Sequence, residues 1–293
     1  MSVPAAAPRV TGQRQRGRIA SSAFRAYLLL SLAIGFALLV TLLVDVVRRG
    51  LPWLDTTLLF DVPSVDPAIA GARPAILGTF YLMLLLLVFT VPIGVGTAIY
   101  LEEYANRERW YNRLLEVNIQ NLAAVPSIIY GILGLAFLVR GLGLGRVLLA
   151  GALILTLLVL PVVIISSREA IRSVPSSIRE GAYALGATQW QVVWRQVLPA
   201  ALPGMATGTI LALSRAIGET APLIMIGGLT YVAFNPTLLG DFTALPIQIY
   251  NWTSRPQEEF RLLAAAAIIV LLAILLTLNA FAIVIRNRYR KTW

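Results

Sequence analysis

The chain is 293 residues long, 58% hydrophobic and 13% charged, with a mean hydropathy of +0.79, which is too apolar for a soluble domain and marks a polytopic membrane protein. It contains no Cys and no His, which excludes disulfide frameworks, thiolate or imidazole metal sites, and catalysis by either residue type. The net charge of +10 reads as a topological signal and an attraction to anionic lipid; no aromatic-interleaved basic surface points to nucleic acid.

Residues 1–23, rich in Pro, Ala, Gly and Arg, read as a disordered basic tail, with a regulatory arm as the alternative. A hydrocarbon core about 30 Å thick needs roughly 20 helical residues. Apolar runs of that kind occur six times: Ala26 to Val44, Ile76 to Tyr100, Leu122 to Val139, Val147 to Ile165, Pro203 to Leu229 and Leu262 to Ile285. Their continuous apolarity argues against the alternating strands of a membrane barrel. The first run exceeds a signal-peptide core and ends in Asp45 and Arg48 without a small-residue cleavage site, so it reads as a retained helix. Between the first two runs, Arg48 to Ala75 carries Asp55, Asp61, Asp66 and several Pro, which suits an ordered or interfacial loop.

Basic residues set the orientation. Arg9, Arg14, Arg16, Arg18 and Arg25 precede the first run, and Arg286, Arg288, Arg290 and Lys291 follow the last. With six spans both termini are expected in the cytoplasm, together with the loops 102–121 and 166–202. On that topology 16 of the 24 Lys and Arg lie inside and 7 outside. The predicted fold class is an all-α polytopic membrane protein, with its transmembrane domain over residues 24–290.

The loop 166–202 carries two short helix patterns. Ser177 followed by Glu180 predicts a capping box, Gly186 a left-handed stop, and Thr188 with Gln191 a second box, while Pro199 follows the second helix. Ile178, Ala182 and Leu185 fall on one stripe; Trp190, Val193, Trp194 and Val197 fall on another. Helices this short are marginal alone and must dock. They lie either on the membrane surface and neighbouring loops, or in a groove of a soluble partner.

The fifth run reads LALSRAIGETAPL at its centre, placing Arg215 and Glu219 where a bilayer would have to dissolve them. An ionisable residue at that depth costs about 2.5 to 3.5 kcal/mol on insertion scales and usually marks a function and a partner. Four residues apart on a helix, the two share a face. Arg offers a planar fork that pairs with two oxygens of an anion, and Ser214, Glu219 and Thr220 are polar neighbours suited to a pathway. The competing reading is an ion pair that locks helix packing. Gly204, Gly208, Gly218, Gly227 and Gly228 allow close approach of helices, and Pro222 is expected to bend this one.

EGAYALGATQWQVVWRQVLP, residues 180–199, resembles the EAA loop of ABC importer permeases. Glu180, Ala182, Gly186, Leu198 and Pro199 match that pattern, while Gly181 and Gln196 stand where Ala and Ile are usual, with the spacing intact. From about Gly71 to Arg290 the chain is similar to one branch, the PstA phosphate importer permeases, through GTFYLMLLLLVFTVPIGVGTAIYLEEYA, VPSIIYG, SRAIGETAPL and ALPIQIYNWTSRPQEEFRLLAAAA. The resemblance implies a MetI-like type I ABC importer permease fold with its core over about 71–286. It also implies that Glu180, Gly181, Ala182, Gly186, Leu198 and Pro199 couple to an ATPase. The implied partners are a sister permease PstC, two copies of the ATPase PstB and a phosphate-binding protein PstS. The implied function is inward passage of inorganic phosphate, or of another oxyanion such as sulfate, molybdate or phosphonate.

No GxxxxGK followed by Ser or Thr occurs, so the chain is expected to be a non-catalytic permease subunit that binds no cofactor, with ATP and Mg on the partner. A secondary transporter or channel using Arg215 and Glu219 as a charge relay would share the helices and basic ends without needing a capped hairpin. A membrane-embedded hydrolase lacks convergent carboxylates and a basic partner for Ser.

Overall fold

A computed structural model describes residues 12–106, 108–228 and 232–288. The chain divides into two units, Met1–Arg49 and Gly50–Trp293. The first holds most of helix α1 (Gly12–Gly50), whose 39 residues would extend about 58 Å at 1.5 Å per residue, nearly twice a hydrocarbon core. Within the stretch read from sequence as a tail, the backbone of residues 12–23 continues this helix, and Gln13, Arg14, Gln15, Arg16 and Arg18 are straight-chain helix formers. The rest of that tail, residues 1–11, lies outside the described residues. From Phe24 to Val47 the large apolar side chains stand exposed around the helix, the pattern of a segment surrounded by lipid or protein.

The second unit opens with an ordered loop. Asp55 accepts a hydrogen bond from Leu58 N (2.8 Å) and caps α2 (Thr56–Phe60), while Asp66 caps a following turn through Ala68 N (2.9 Å). Helix α3 (Arg73–Ile99) runs on into a wider π turn, Tyr100–Tyr104. Helices α4 (Trp110–Ala123) and α5 (Ser127–Gly134) meet at 107°, so the third apolar run is not one straight helix. Pro126 sits in the bend with φ −56° and ψ 138°, a geometry that interrupts the helical ladder. Tyr130 Oη ties the bend by donating to Leu122 O at 2.8 Å.

Helix α6 (Leu148–Arg172) is the centre of the bundle, buried along most of its length. Its neighbours approach through glycines: Gly94 of α3 lies on Val163, Gly134 of α5 on Ile154, and Gly204 and Gly208 of α9 on Ala170 and Ser166. A hairpin of α7 (Ser176–Ala184) and α8 (Gln189–Val192) follows, and α8 continues through a π turn (Val193–Val197) into α9 (Leu198–Ala216). After a break comes α10 (Ala221–Met225), then α11 (Leu245–Thr253), which no sequence pattern announced, and α12 (Glu258–Arg288). Helix α11 is anchored by Leu245 N donating to Thr79 Oγ1 (2.8 Å) and by Trp252, which packs on Phe260 with both fully buried.

Among the described residues five helices are long and apolar enough to cross a membrane, or six if the bent pair is one span. The fifth apolar run is shifted from its sequence reading: the helix begins in the hairpin and ends at Ala216. Pro222, expected to bend it, instead stands in the first turn of α10, where its missing N–H is harmless.

Candidate functional site

Arg215 occupies the last turn of α9 and Glu219 lies beyond the helix end, so the two do not share a continuous helical face. The backbone tightens there: Gly218 N donates to Arg215 O (3.3 Å) and Glu219 N to Ala216 O (3.1 Å). The side chains still meet, with Arg215 Nε 3.3 Å from Glu219 Oε1. Their exposures differ, 54% for Arg215 against 17% for Glu219. Only Nε is engaged, and the terminal guanidinium nitrogens have no partner among the described residues. Thr220 Oγ1 donates to Gly218 O at 3.3 Å. Ser214 turns elsewhere: its Oγ is 2.8 Å from both Ile210 O and Asn279 Oδ1, and it lines a cavity of about 370 Å³ with Met83, Leu87, Ile217 and Asn279. Arg215, Glu219 and Thr220 do not line that cavity. The structure thus brings Arg215 and Glu219 together, with Thr220 beside them in sequence, and sends Ser214 into the bundle.

The hairpin is the second zone. The Ser177–Glu180 box is not formed, because α7 starts two residues earlier, with Pro175 at its cap and Ser177 already inside. The stop at Gly186 is as expected: its φ is +81°, Gly186 N donates to Tyr183 O (2.9 Å) and Ala187 N to Ala182 O (3.1 Å), a Schellman ending. The Thr188–Gln191 box is present in both directions, at 2.9 and 3.4 Å. Ile178 and Ala182 pack on the bundle, but Leu185 is 91% exposed. The second stripe is split: Val193 and Val197 are buried while Trp190 and Trp194 are exposed, their rings 5.0 Å apart. The split is already present between Trp190 and Val193, and the π turn that begins at Val193 then advances the chain by more than 3.6 residues per turn over the rest of the stripe. Glu180, Gly181 and Gly186 are exposed; Ala182, Leu198 and Pro199 are half-buried and hold the hairpin down.

A charged network beneath the hairpin escaped the sequence reading. Arg168 Nε meets Glu102 Oε1 (2.8 Å), Arg168 Nη2 meets Glu116 Oε1 (2.7 Å), Arg172 Nη2 meets Glu102 Oε1 (2.8 Å), and Arg179 Nη2 meets Glu103 Oε1 (2.8 Å). The signal was present: two adjacent carboxylates end one apolar run, and arginines four apart end another.

Residues 90–291 match the family described as "Binding-protein-dependent transport system inner membrane component". The chain is 32% identical to "Phosphate transport system permease protein PstA 1" of Mycobacterium tuberculosis over 277 residues, covering 92% of this chain and 89% of that protein. It is 32% identical to the PstA phosphate permease of Yersinia pestis, covering 93% and 90%, and 34% identical to the probable ABC transporter permease YqgI of Bacillus subtilis, covering 77% and 76%. Among solved structures, a chain of a bacterial alginate ABC transporter in complex with a pentasaccharide-bound periplasmic protein superposes with a TM-score of 0.66 at 19% identity, covering 97% and 99%. The inward-facing MetNI methionine transporter gives a TM-score of 0.58 at 19% identity, covering 73% and 92%. By the family match over residues 90–291 and this fold, the chain belongs to the binding-protein-dependent transport system inner membrane components, with the MetI-like fold of ABC importer permeases.

Proposed function

We propose that this chain is the permease subunit through which an ATP-driven importer passes inorganic phosphate into the cytoplasm. The observation that carries this is Arg215, a half-exposed guanidinium at a helix break, held by one long contact and with two donor nitrogens unengaged. A phosphate group carries about 1.5 to 2 negative charges at neutral pH and presents oxygens in the geometry that a guanidinium fork matches. Glu219 competes for the same cation. It keeps Arg215 paired when the path is empty and yields when the anion arrives, so binding stays weak enough for release. Relatives spanning about nine-tenths of the chain are named phosphate permeases, which supports phosphate over other oxyanions.

The exposed Leu185, Trp190 and Trp194 on the hairpin suit an apolar groove on a soluble partner, which favours the coupling role over a membrane-surface role. In this reading the partners are a second permease, PstC, two PstB subunits that bind ATP and Mg, and the phosphate-binding protein PstS. The protein sits in the inner membrane with both termini and the hairpin in the cytoplasm. The test is uptake of labelled phosphate in cells lacking other phosphate importers, normalised to assembled complex. Arg215→Gln is expected to abolish uptake while leaving the complex assembled, and wild-type uptake by this variant ends the reading.

A further inference from the structure

The adjacent carboxylates of the π turn after α3 hold different parts of the molecule. Glu102 Oε1 accepts from Arg168 and Arg172, both at 2.8 Å, and fixes the turn on α6. Glu103 holds the hairpin instead. Its Oε1 accepts from Arg179 Nη2 of α7 at 2.8 Å and Nε at 3.3 Å, and its backbone carbonyl accepts from Gln189 Nε2 of α8. Both hairpin helices are therefore tied to one residue. Arg179 is fixed further by donating to Val174 O (2.7 Å) and Ile171 O (3.0 Å) at the end of α6. The pair is shielded, with Arg179 21% and Glu103 8% exposed, so water and salt weaken it far less than a surface pair.

The other stretch of α3 reaches the helix break. Met83 and Leu87 line the same cavity as Ser214 and Ile217, and Leu82 and Met83 stand with Ala216 and Ile217 around a smaller one. From Met83 to Glu103 is about 30 Å along a helix. The hairpin is already continuous with α9 through the π turn Val193–Val197. The Glu103 clasp gives it a second grip, on α3, so that it holds two of the three walls of the cavity beside the break, the third being α12.

We infer that Glu103 is a positioning residue that converts a displacement of the hairpin into movement of α3 against the Ser214–Ile217 segment. This rests on the reading of the chain as an ATP-driven permease. Glu103→Gln keeps the shape and one neutral acceptor but removes the charge, so the hairpin stays docked on a softer joint.

The experiment uses the full complex in vesicles, with the binding protein supplied, and measures phosphate moved per ATP hydrolysed in each assembled complex. Glu103→Gln is expected to assemble and hydrolyse ATP at near wild-type rate while phosphate moved per ATP falls about tenfold, the effect of weakening one charge-assisted bond. Gln189→Ala, which removes only the tie to the Glu103 carbonyl, is expected to lower the ratio by a smaller factor. An unchanged ratio in Glu103→Gln overturns the inference. So does loss of assembled complex with an unchanged ratio in the remainder, or failure of both variants to assemble, since either marks a clasp that only stabilises. If the wild-type complex itself does not couple uptake to ATP, the permease reading fails instead.

Discussion

Arg215 and Glu219 face each other across the end of a helix, and their 3.3 Å contact is longer than the approximately 2.7 to 2.9 Å of a tight charge-assisted bond. A structural lock would be expected to bury both partners, as in the Arg168–Glu102 pair, and to engage more than one guanidinium nitrogen, as Arg168 does between Glu102 and Glu116. Arg215 does neither. Arg215→Lys should therefore keep the charge and the assembly but lose the fork, lowering phosphate uptake about tenfold at equal complex. Exchanging the pair, Arg215→Glu with Glu219→Arg, moves the cation from a half-exposed position to one that is 17% exposed. The exchange should leave uptake abolished in the same cellular assay, and its restoration would show the pair to be a packing device. At this scale the sequence was a good guide: the arginine, the glutamate and their contact were all legible. What it left open was that Ser214 turns to Asn279 and a separate cavity, because which side a residue takes at a helix end depends on where the helix stops.

Glycines separate two kinds of element-level constraint. Gly186 has open space around it but a φ of +81°, so its role is conformational. Gly208 has helical backbone but lies against Ser166, so its role is spatial. Gly186→Val should strain the hairpin turn by about 1 to 2 kcal/mol and weaken ATPase association, read by copurification in mild detergent. Gly208→Ala should push α9 off α6, costing about 1 to 3 kcal/mol, read as a lower unfolding temperature of the purified protein. A reversed pattern, with assembly lost only in Gly208→Ala, would contradict this division.

The same elements show what sequence can carry. Apolar runs gave α1, α3, α6 and α12 because continuous apolarity reports a lipid-compatible stretch. The breaks between α4 and α5 and between α9 and α10 stayed hidden, since a broken helix is as apolar as a whole one and only Pro126, Gly218 and Pro222 hinted at them. Helix α11 is nine residues long and carries Gln248 and Asn251, too short and polar to stand out. The tryptophan stripe was counted too wide: Trp190 already stands outside the buried face, and from Val193 a π turn changes the period. The Glu102 and Glu103 pairings join residues 66 to 76 apart, a separation that local patterns do not reach.

For the whole molecule the open quantity is which way it faces. The hairpin and the charged network share one end of the second unit, where α3 finishes and α6 and α9 meet it. The ordered loop of Asp55 and Asp66 precedes α3, one helix length away from Glu103. On the proposed topology, with 16 basic residues inside against 7 outside, the hairpin end is expected to face the cytoplasm, the side on which a partner ATPase would find ATP. Because the chain has no Cys, single cysteines report against a clean background. Val65→Cys, at a position 79% exposed in the ordered loop, should react with an impermeant thiol reagent in intact cells. Ser177→Cys, exposed on the hairpin, should react only after the membrane is permeabilised. Neither substitution touches a buried contact, so both proteins should insert normally, and the labelling reads orientation alone. Labelling of Ser177→Cys from outside intact cells would invert the topology and remove the hairpin from reach of any cytoplasmic ATPase.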